Sequence, residues 1–547
     1  MQTLRLRVRG RRWPLAVGAS LALAGTAAVA AAGVLTASPP VQVPDHPLAA
    51  ASPACSASVA RQTAHGSVNY PAAEVEPYVA SDPTNPSHLV ASFQQDRWND
   101  GGSNGLTNVV STDGGATWQL ASSQPKFSSC EGATSGSPGF FDRATDPWVS
   151  FSADGKIVYS ISDSFNANGP AFGGASSIII SRSTDGGVTW QTPVTARLDT
   201  STTVLNDKET VTADPSLPTT AYAVWDRLVS PSTNANPGAF NHSPAFRGPA
   251  MFSKTTDGGL TWSQGRAIFD PGQQNQTIGN QIVVPTAGPA AGTLIDGFDL
   301  ILTKGGLGNN RRESDTVAVV RSTDGGASWS QPIAVAGMDV AHVSIAGHPV
   351  RSSDELPEFT AAPSGTLYAV WQDGRFSANG TSKIALSSSS DGGLHWSTPI
   401  RVDQSPGDTA AFTPQVHVAA DGTVGLSYYD LENATTAQPG LTDAYIVHCH
   451  AATFDCTNPA NWQAGGETRL TTTGSFDMTT APDAGGYFVG DYEGLTSSGS
   501  IFDPFYILAQ PKASSGTTDP FASTAGGRPT DPDGPSAGSR VPVRGSC

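Results

Sequence analysis

Carboxylates, guanidiniums and phenols gather in this chain at the ends of short apolar runs. They read Asp96-Arg97, Asp142-Arg143, Asp146, Asp207-Lys208-Glu209, Asp226-Arg227, Asp373-Gly-Arg375, Tyr428-Tyr429-Asp430 and Asp491-Tyr492-Glu493. Groups of these types can hold an anion, accept many hydroxyls and move a proton between positioned oxygens. Brought to one concave mouth, they would form a ligand site. For any single Asp–Arg pair the alternative is a salt bridge repeated because its unit is repeated. For the set as a whole a ligand site is expected, because these residues change from unit to unit.

The elements that must position them are announced by five copies of Ser/Thr-x-Asp-x-Gly-x-x-Trp. The copies are centred on Asp113, Asp185, Asp257, Asp324 and Asp391, and their tryptophans Trp118, Trp190, Trp262, Trp329 and Trp396 are 72, 72, 67 and 67 residues apart. A regular period of that length marks a supersecondary unit copied around an axis or along a stack. The pattern itself is a hairpin fastener. Its Asp and hydroxyl satisfy turn amides, its Gly-Gly permits positive φ, and its Trp packs beneath the turn. Each unit opens with a polar residue, often beside Pro, then an apolar strand, a tight turn and a second strand ending at an acid. A longer loop, a third strand and the Asp-box hairpin complete it. Four antiparallel strands without helical periodicity make a propeller blade.

A sixth unit runs from about Phe412 to Trp462, and two further strands near Tyr487–Glu493 and Phe502–Leu508 begin a seventh. Residues near 58–70 are expected to complete it, so seven blades are preferred and six are the alternative. In such blades the Asp-box turns share the bottom face, and the acids, arginines and tyrosines of the strand ends share the top.

Residues 1–36 read as a signal peptide. Arg5, Arg7, Arg9, Arg11 and Arg12 precede a long Ala-rich apolar run, and an uncleaved anchor is the alternative. Residues 37–60 read as a Pro/Ala/Ser-rich linker, 61–511 as the propeller and 512–547 as a disordered tail. Loss of the five arginines moves the formal charge from −17 to −22, which excludes nucleic acid and anionic membrane as natural partners. Secretion, a monomeric state and no membrane insertion after signal removal are therefore expected. Five cysteines in an exported chain suggest disulfides with one left over. Cys449 and Cys456 are the best pair, and Cys55, Cys130 and Cys547 stay open. His448 and His450 have strand spacing but no third ligand in view, so no metal site is expected. No cofactor is called for. The acidic top face leaves room for a structural calcium ion, although no EF-hand spacing points to one.

The five Asp boxes resemble the sialidase superfamily, or BNR/Asp-box proteins, over residues 76 to about 510. The resemblance implies a sialidase-like β-propeller and retaining cleavage of a terminal α-linked sialic acid. It further implies three arginines on the sugar carboxylate, a Glu-activated Tyr nucleophile and an Asp acid/base. The Arg-Ile/Leu-Pro motif expected on the first inner strand is replaced here by Glu76-Pro-Tyr. The carboxylate binders carried over are Arg97, Arg143, Arg227 and Arg375, with Asp207 and Glu209 also toward substrate. Asp142 or Asp146 is the acid/base candidate, and Tyr492, beside Asp491 and Glu493, is the phenol candidate. Adjacent strand residues point to opposite faces, so Tyr428 or Tyr429 is expected to meet Glu493. The function implied is an exo-acting glycoside hydrolase on a glycan or glycoconjugate. The alternative is a non-catalytic glycan- or protein-binding propeller at the cell surface.

Overall fold

The Asp-box turns form as their composition dictates. In the first, Asp113 Oδ1 accepts from Ser111 Oγ and from the Thr117 amide, both at 2.9 Å, and Ser111 Oγ accepts from the Gly115 amide at 2.9 Å. Gly114 and Gly115 have φ of 69° and 78°, which only glycine adopts without strain. The same bonds recur around Asp185, Asp257, Asp324 and Asp391. The turn is locked to the first turn of its own blade, since the Gly114 amide donates to Ser87 O (2.9 Å) and the Gly258 amide to Thr219 O (2.8 Å). Both turn types therefore occupy one face, as the topology requires.

The computed structural model describes residues 33–48, 52–168, 171–230, 247–304, 312–352, 354–511 and 516–527. The segment read as the signal's charged and apolar core (residues 1–32), the last part of the tail and Cys547 lie outside them. The chain is all-β, in antiparallel sheets built outward from seven innermost strands. These are Val75–Asp82, Arg143–Phe151, Val204–Ala213, Gln276–Val283, Glu358–Ala361, Ala411–Val418 and Gly494–Ser498, here called blades 1 to 7. Each inner strand packs on the next, and that of blade 7 packs back on that of blade 1, closing the ring.

Two boundaries differ from the sequence reading. The fourth strand of blade 7 is Val41–Gln42, pairing with Ala522 and Phe521, and not residues 58–70. Residues 53–64 instead form an α-helix, because Ser52 caps it (Cys55 N to Ser52 Oγ 3.0 Å) and Pro53 suits its first turn. The segment read as a disordered tail contains the third strand of blade 7, Thr518–Ala522, and Ala525–Gly527, which pairs with Leu35–Ala37. A five-residue strand alternating buried and half-buried positions is too short to stand out within Ser/Gly/Thr-rich sequence. Disulfides join Cys449 to Cys456, as expected, and Cys55 to Cys130.

One device recurs at the top of the ring. Five inner strands carry a bulge, with register breaks at Val75/Tyr78, Thr145/Trp148, Asp207/Thr210, Ile278/Gln281 and Phe412/Gln415. Each bulge places one residue at positive φ: Glu76 (53°), Asp146 (51°), Lys208 (50°), Gly279 (72°) and Thr413 (50°). Pro follows Glu76, Asp146 and Thr413, where a missing N–H suits a broken ladder. Bulges commonly re-aim side chains beside active sites. Here they collect unlike residues from neighbouring blades at the axis.

Candidate active site at the axial mouth

Three of those bulge residues, with Asp491 of blade 7, make one buried ionic cluster. Lys208 Nζ lies 3.0 Å from Glu76 Oε1, 3.0 Å from Asp146 Oδ1 and 2.8 Å from Asp491 Oδ2. Arg351 closes Asp491 from the other side, with Nε 2.9 Å from Oδ1 and Nη2 on Oδ2. Arg351 comes from a hairpin, Val343–Ile345 and His348–Arg351, inserted between blades 4 and 5 and paired in parallel with Tyr487–Phe488. The second Glu76 oxygen accepts from Gln94, whose own carbonyl takes Arg97 Nη1 at 2.7 Å.

The electrostatics separate these acids. Burial raises Glu76 well above the usual carboxylate range, only partly opposed by Lys208. Burial also pushes Asp146 and Asp491 upward. Lys208 outweighs it at Asp146, and Arg351 with Lys208 outweighs it at Asp491, so both end below their ordinary values. Lys208 is raised well above its own, the three carboxylates overcoming its burial. The cluster thus sets one carboxyl shifted upward beside two shifted downward, an arrangement that can divide acid and base roles. Each oxygen contacting Lys208 is at most 3.0 Å from that nitrogen, so no two of them are more than twice 3.0 Å apart.

Two recesses flank the cluster, reached by Lys208, Asp146 and Asp491, with Glu76 fully buried behind them. One, of about 320 Å³, is lined by Arg97, Asp146, Asp163, Asp207 and Lys208 among others. The second, of about 420 Å³, adds Ile278, Val343, Val350 and Leu356, and shares Lys208 and Arg351 with the first. Asp207 is pushed up to about 7, chiefly by burial and then by Asp146.

The site residues expected from sequence divide sharply. Asp146 and Asp491 are in the cluster, and Asp207 and Arg97 line its recess. Arg97 is buried and meets no carboxylate within 4.0 Å among the described residues. Its Nε lacks a partner, and its guanidinium lies 4.8 Å from the Phe488 ring centroid. The three-arginine convergence does not form. Arg143 is spent on Gln62 (2.6 Å), Asp100 (2.8 Å) and the Trp98 ring (4.6 Å). Arg227 is clamped on Asp199 (3.0 and 2.7 Å), and Arg375 on Asp373 (2.8 and 2.7 Å). Bidentate pairing leaves such arginines little to offer a ligand.

Asp142 also leaves the mouth. It accepts from Ser58 Oγ (2.6 Å), the Ala167 amide (3.1 Å) and Arg61, and so anchors the N-terminal helix. Glu209 is buried beneath the cluster, accepting from the Asp163 amide. Tyr492 reaches across the axis to donate to Pro147 O (3.2 Å) and packs edge-on against Trp148, with Lys208 Nζ 5.8 Å from its ring. Burial, reinforced by Glu76, raises its phenol well above 10, so it is not an activated nucleophile. Glu493 points the other way and neighbours Tyr429, as alternation requires. Both are buried within the core between blades 6 and 7, where the Tyr429 hydroxyl donates to Ile507 O at 2.7 Å.

Glu76 and Arg351 carry the cluster without having been singled out for chemistry, and Lys208 was gathered with the strand-end groups without a role of its own. The Glu76-Pro77 and Asp146-Pro147 pairs did signal shared bulge positions. Arg351 lies outside the repeat and carried no signal.

The fold and the turns define an all-β propeller built with Asp-box hairpins. Residues 109–120 match the family model for the BNR/Asp-box repeat. No curated protein gives a significant match. Similar solved structures include a protein of unknown function from Dyadobacter fermentans, 13% identical over 90% of this chain and 99% of that one, with a TM-score of 0.43. A Hadza microbial sialidase is 18% identical over 65% of this chain and 63% of its own, with a TM-score of 0.40. A GH93 α-L-arabinofuranosidase of Fusarium graminearum, in complex with arabinobiose, is 13% identical over 72% and 93%, with a TM-score of 0.41.

Proposed function

We propose that the protein is an exported, exo-acting glycoside hydrolase whose chemistry is done by the axial carboxylates. The observation that carries this reading is the meeting of Glu76 and Asp146 at 3.0 Å on one lysine, with burial shifting Glu76 upward and Lys208 shifting Asp146 downward. Glu76, whose proton affinity burial raises, donates its proton to the leaving glycosidic oxygen. Asp146, kept ionised by Lys208, meets the anomeric carbon from the opposite side. Asp491 holds Lys208 and Arg351 in register and stays outside the reaction. Retaining glycosidases place their two carboxyl groups about 5–5.5 Å apart and inverting ones about 6.5–9.5 Å apart. The Glu76 and Asp146 oxygens on Lys208 are at most twice 3.0 Å apart, which is below the inverting range. A neutral proton donor is worth about 10²–10⁴ in rate.

A sialic acid substrate is a narrower form of the proposal. Arg97, buried with an unmatched Nε, is the group that would meet its carboxylate. A panel of aryl glycosides, sialosides included, tests both levels: release of aglycone from any member supports the hydrolase, and release from sialosides alone supports the narrower form.

A non-catalytic glycan- or protein-binding propeller is the second reading. The burial of Lys208 among three carboxylates favours it, because such a cluster also fastens blades 1, 2, 3 and 7 together. Glycans retained on an array without turnover of any glycoside would select it.

A further inference from the structure

The axis has a second cavity at its other end. It holds about 340 Å³ and is bounded by residues of all seven inner strands, with the turn residues Pro83, Ala153 and Pro215 at its rim. That rim lies on the Asp-box face, opposite the ionic mouth. Tyr78 and Trp148, stacked at 3.4 Å with 20° between planes, form part of its inner wall. Between the two ends lies a void of about 20 Å³, bordered by Trp148, Gln281, Glu358 and Tyr492. Such a void accommodates about one water molecule and passes nothing larger.

The chemistry of the two ends is opposite. The mouth is ringed by acids and cations, whereas no Asp, Glu, Lys or Arg among the described residues lines the lower cavity. Its single titratable wall group besides Tyr78 is His417, whose Nε2 meets Ser497 Oγ at 3.0 Å. Burial lowers that imidazole to about 4, so it is neutral at pH 7. Hydroxyl residues line it: Thr496 Oγ1 donates to Ser81 Oγ at 3.0 Å, Thr212 Oγ1 donates to Ile282 O at 2.8 Å, Ser150 Oγ accepts from the Ala213 amide at 3.0 Å, and Thr360 stands on a neighbouring strand. Aromatic faces beside small hydroxyls, in a volume at the low end of ligand pockets, suit a compact ring that is apolar on its faces and polar at its edge. In a protein of net charge −17 an uncharged wall selects an uncharged guest.

We propose that the lower axial cavity is a second binding site, taking one uncharged saccharide ring from the Asp-box face. The site is independent of hydrolysis at the mouth.

The experiment uses the full chain and methyl glycosides of neutral pentoses and hexoses, read by saturation-transfer NMR and tryptophan fluorescence. Binding near 1 mM, about −4 kcal/mol, is expected for a single ring. Thr360→Trp, which fills the cavity, and His417→Leu, which removes a polar edge, should each weaken it at least tenfold. Glu76→Gln, at the mouth, should leave it unchanged. Binding lost in Glu76→Gln and retained in both cavity variants would overturn the proposal, as would binding of cyclohexane or benzene with no glycoside bound. Loss of hydrolysis in Thr360→Trp would overturn the independence of the two sites.

Discussion

Lys208 and Asp491 are 283 residues apart in the chain and 2.8 Å apart in space. Their contact joins blade 3 to blade 7 across the axis and is enclosed by Glu76 and Asp146 of the two blades between. The pair therefore serves both packing and chemistry. The ring must close for the cluster to exist, and the cluster charges the mouth once the ring has closed.

Removing the cation tests the packing role. In Lys208→Met, three buried carboxyl groups face one another with Arg351 as the remaining counter-charge. Breaking a buried ion pair from one side costs about 3–5 kcal/mol. Urea unfolding at pH 7 should show a loss of that size, shrinking at pH 5 as the acids take up protons. A change below 1 kcal/mol at both pH values would remove the cluster from the list of fold-determining contacts.

Stability should fall from pH 5 toward pH 8. Asp207 and Asp430 are raised to about 7, and Glu131 and Glu358 to about 8, in each case chiefly by burial. A raised carboxyl stabilises the folded chain below its unfolded pKa and loses that contribution as pH rises through the folded value. Between about pH 4.5 and 8 the folded state thus binds more protons than the unfolded one, and the slope is negative. Thermal melts across this range should show a falling midpoint. A midpoint rising steadily to pH 8 would contradict the assignment.

The propeller was legible because its signals are local. An Asp, a hydroxyl and two glycines fasten a hairpin wherever they occur, and the five copies set the repeat. Asp146 and Asp491 were legible for the same reason, standing at strand ends beside Pro147 and Gly490. The rest depends on contacts far apart in sequence. Whether Arg143 or Arg227 faces a ligand is decided by Gln62, Asp100 and Asp199, and no spacing rule reports those partners. Arg351 reaches the mouth on an insertion, and the outer strand of blade 7 is drawn from residues 41–42, where composition alone suggested a linker.

The turn fasteners should prove structural only. Asp185→Ala removes acceptors for Ser183 Oγ (2.7 Å), the Thr189 amide (2.9 Å) and Thr189 Oγ1 (2.6 Å), all near solvent. Solvated hydrogen bonds contribute about 0.5–1.5 kcal/mol each, and water replaces part of what is lost. Equilibrium unfolding should register about 1 kcal/mol of destabilisation with turnover unchanged. A tenfold loss of turnover would place the Asp-box face in the reaction.

The two disulfides should differ in weight. Cys55–Cys130 closes a separation of 75 residues and Cys449–Cys456 one of 7. In the chain-entropy account the longer loop stabilises more, at about 4 kcal/mol. Cys55→Ala paired with Cys130→Ala should lower the unfolding midpoint more than the equivalent change at Cys449 and Cys456. The reverse order would mean that the short bridge supplies native contacts in blade 6 which outweigh loop length.

The central claim is that Glu76 is the proton donor of an axial active site. The most direct measurement follows hydrolysis of the aryl glycoside panel by proton NMR, comparing wild type with Glu76→Gln, an isosteric change that keeps one acceptor oxygen for Lys208 and gives up the one that accepts from Gln94. The account predicts first-formed product with retained anomeric configuration, and at least a 100-fold slower reaction in the variant at a temperature where circular dichroism shows it folded. Equal rates in the two proteins, or no product from any glycoside with concentrated wild type, would contradict it.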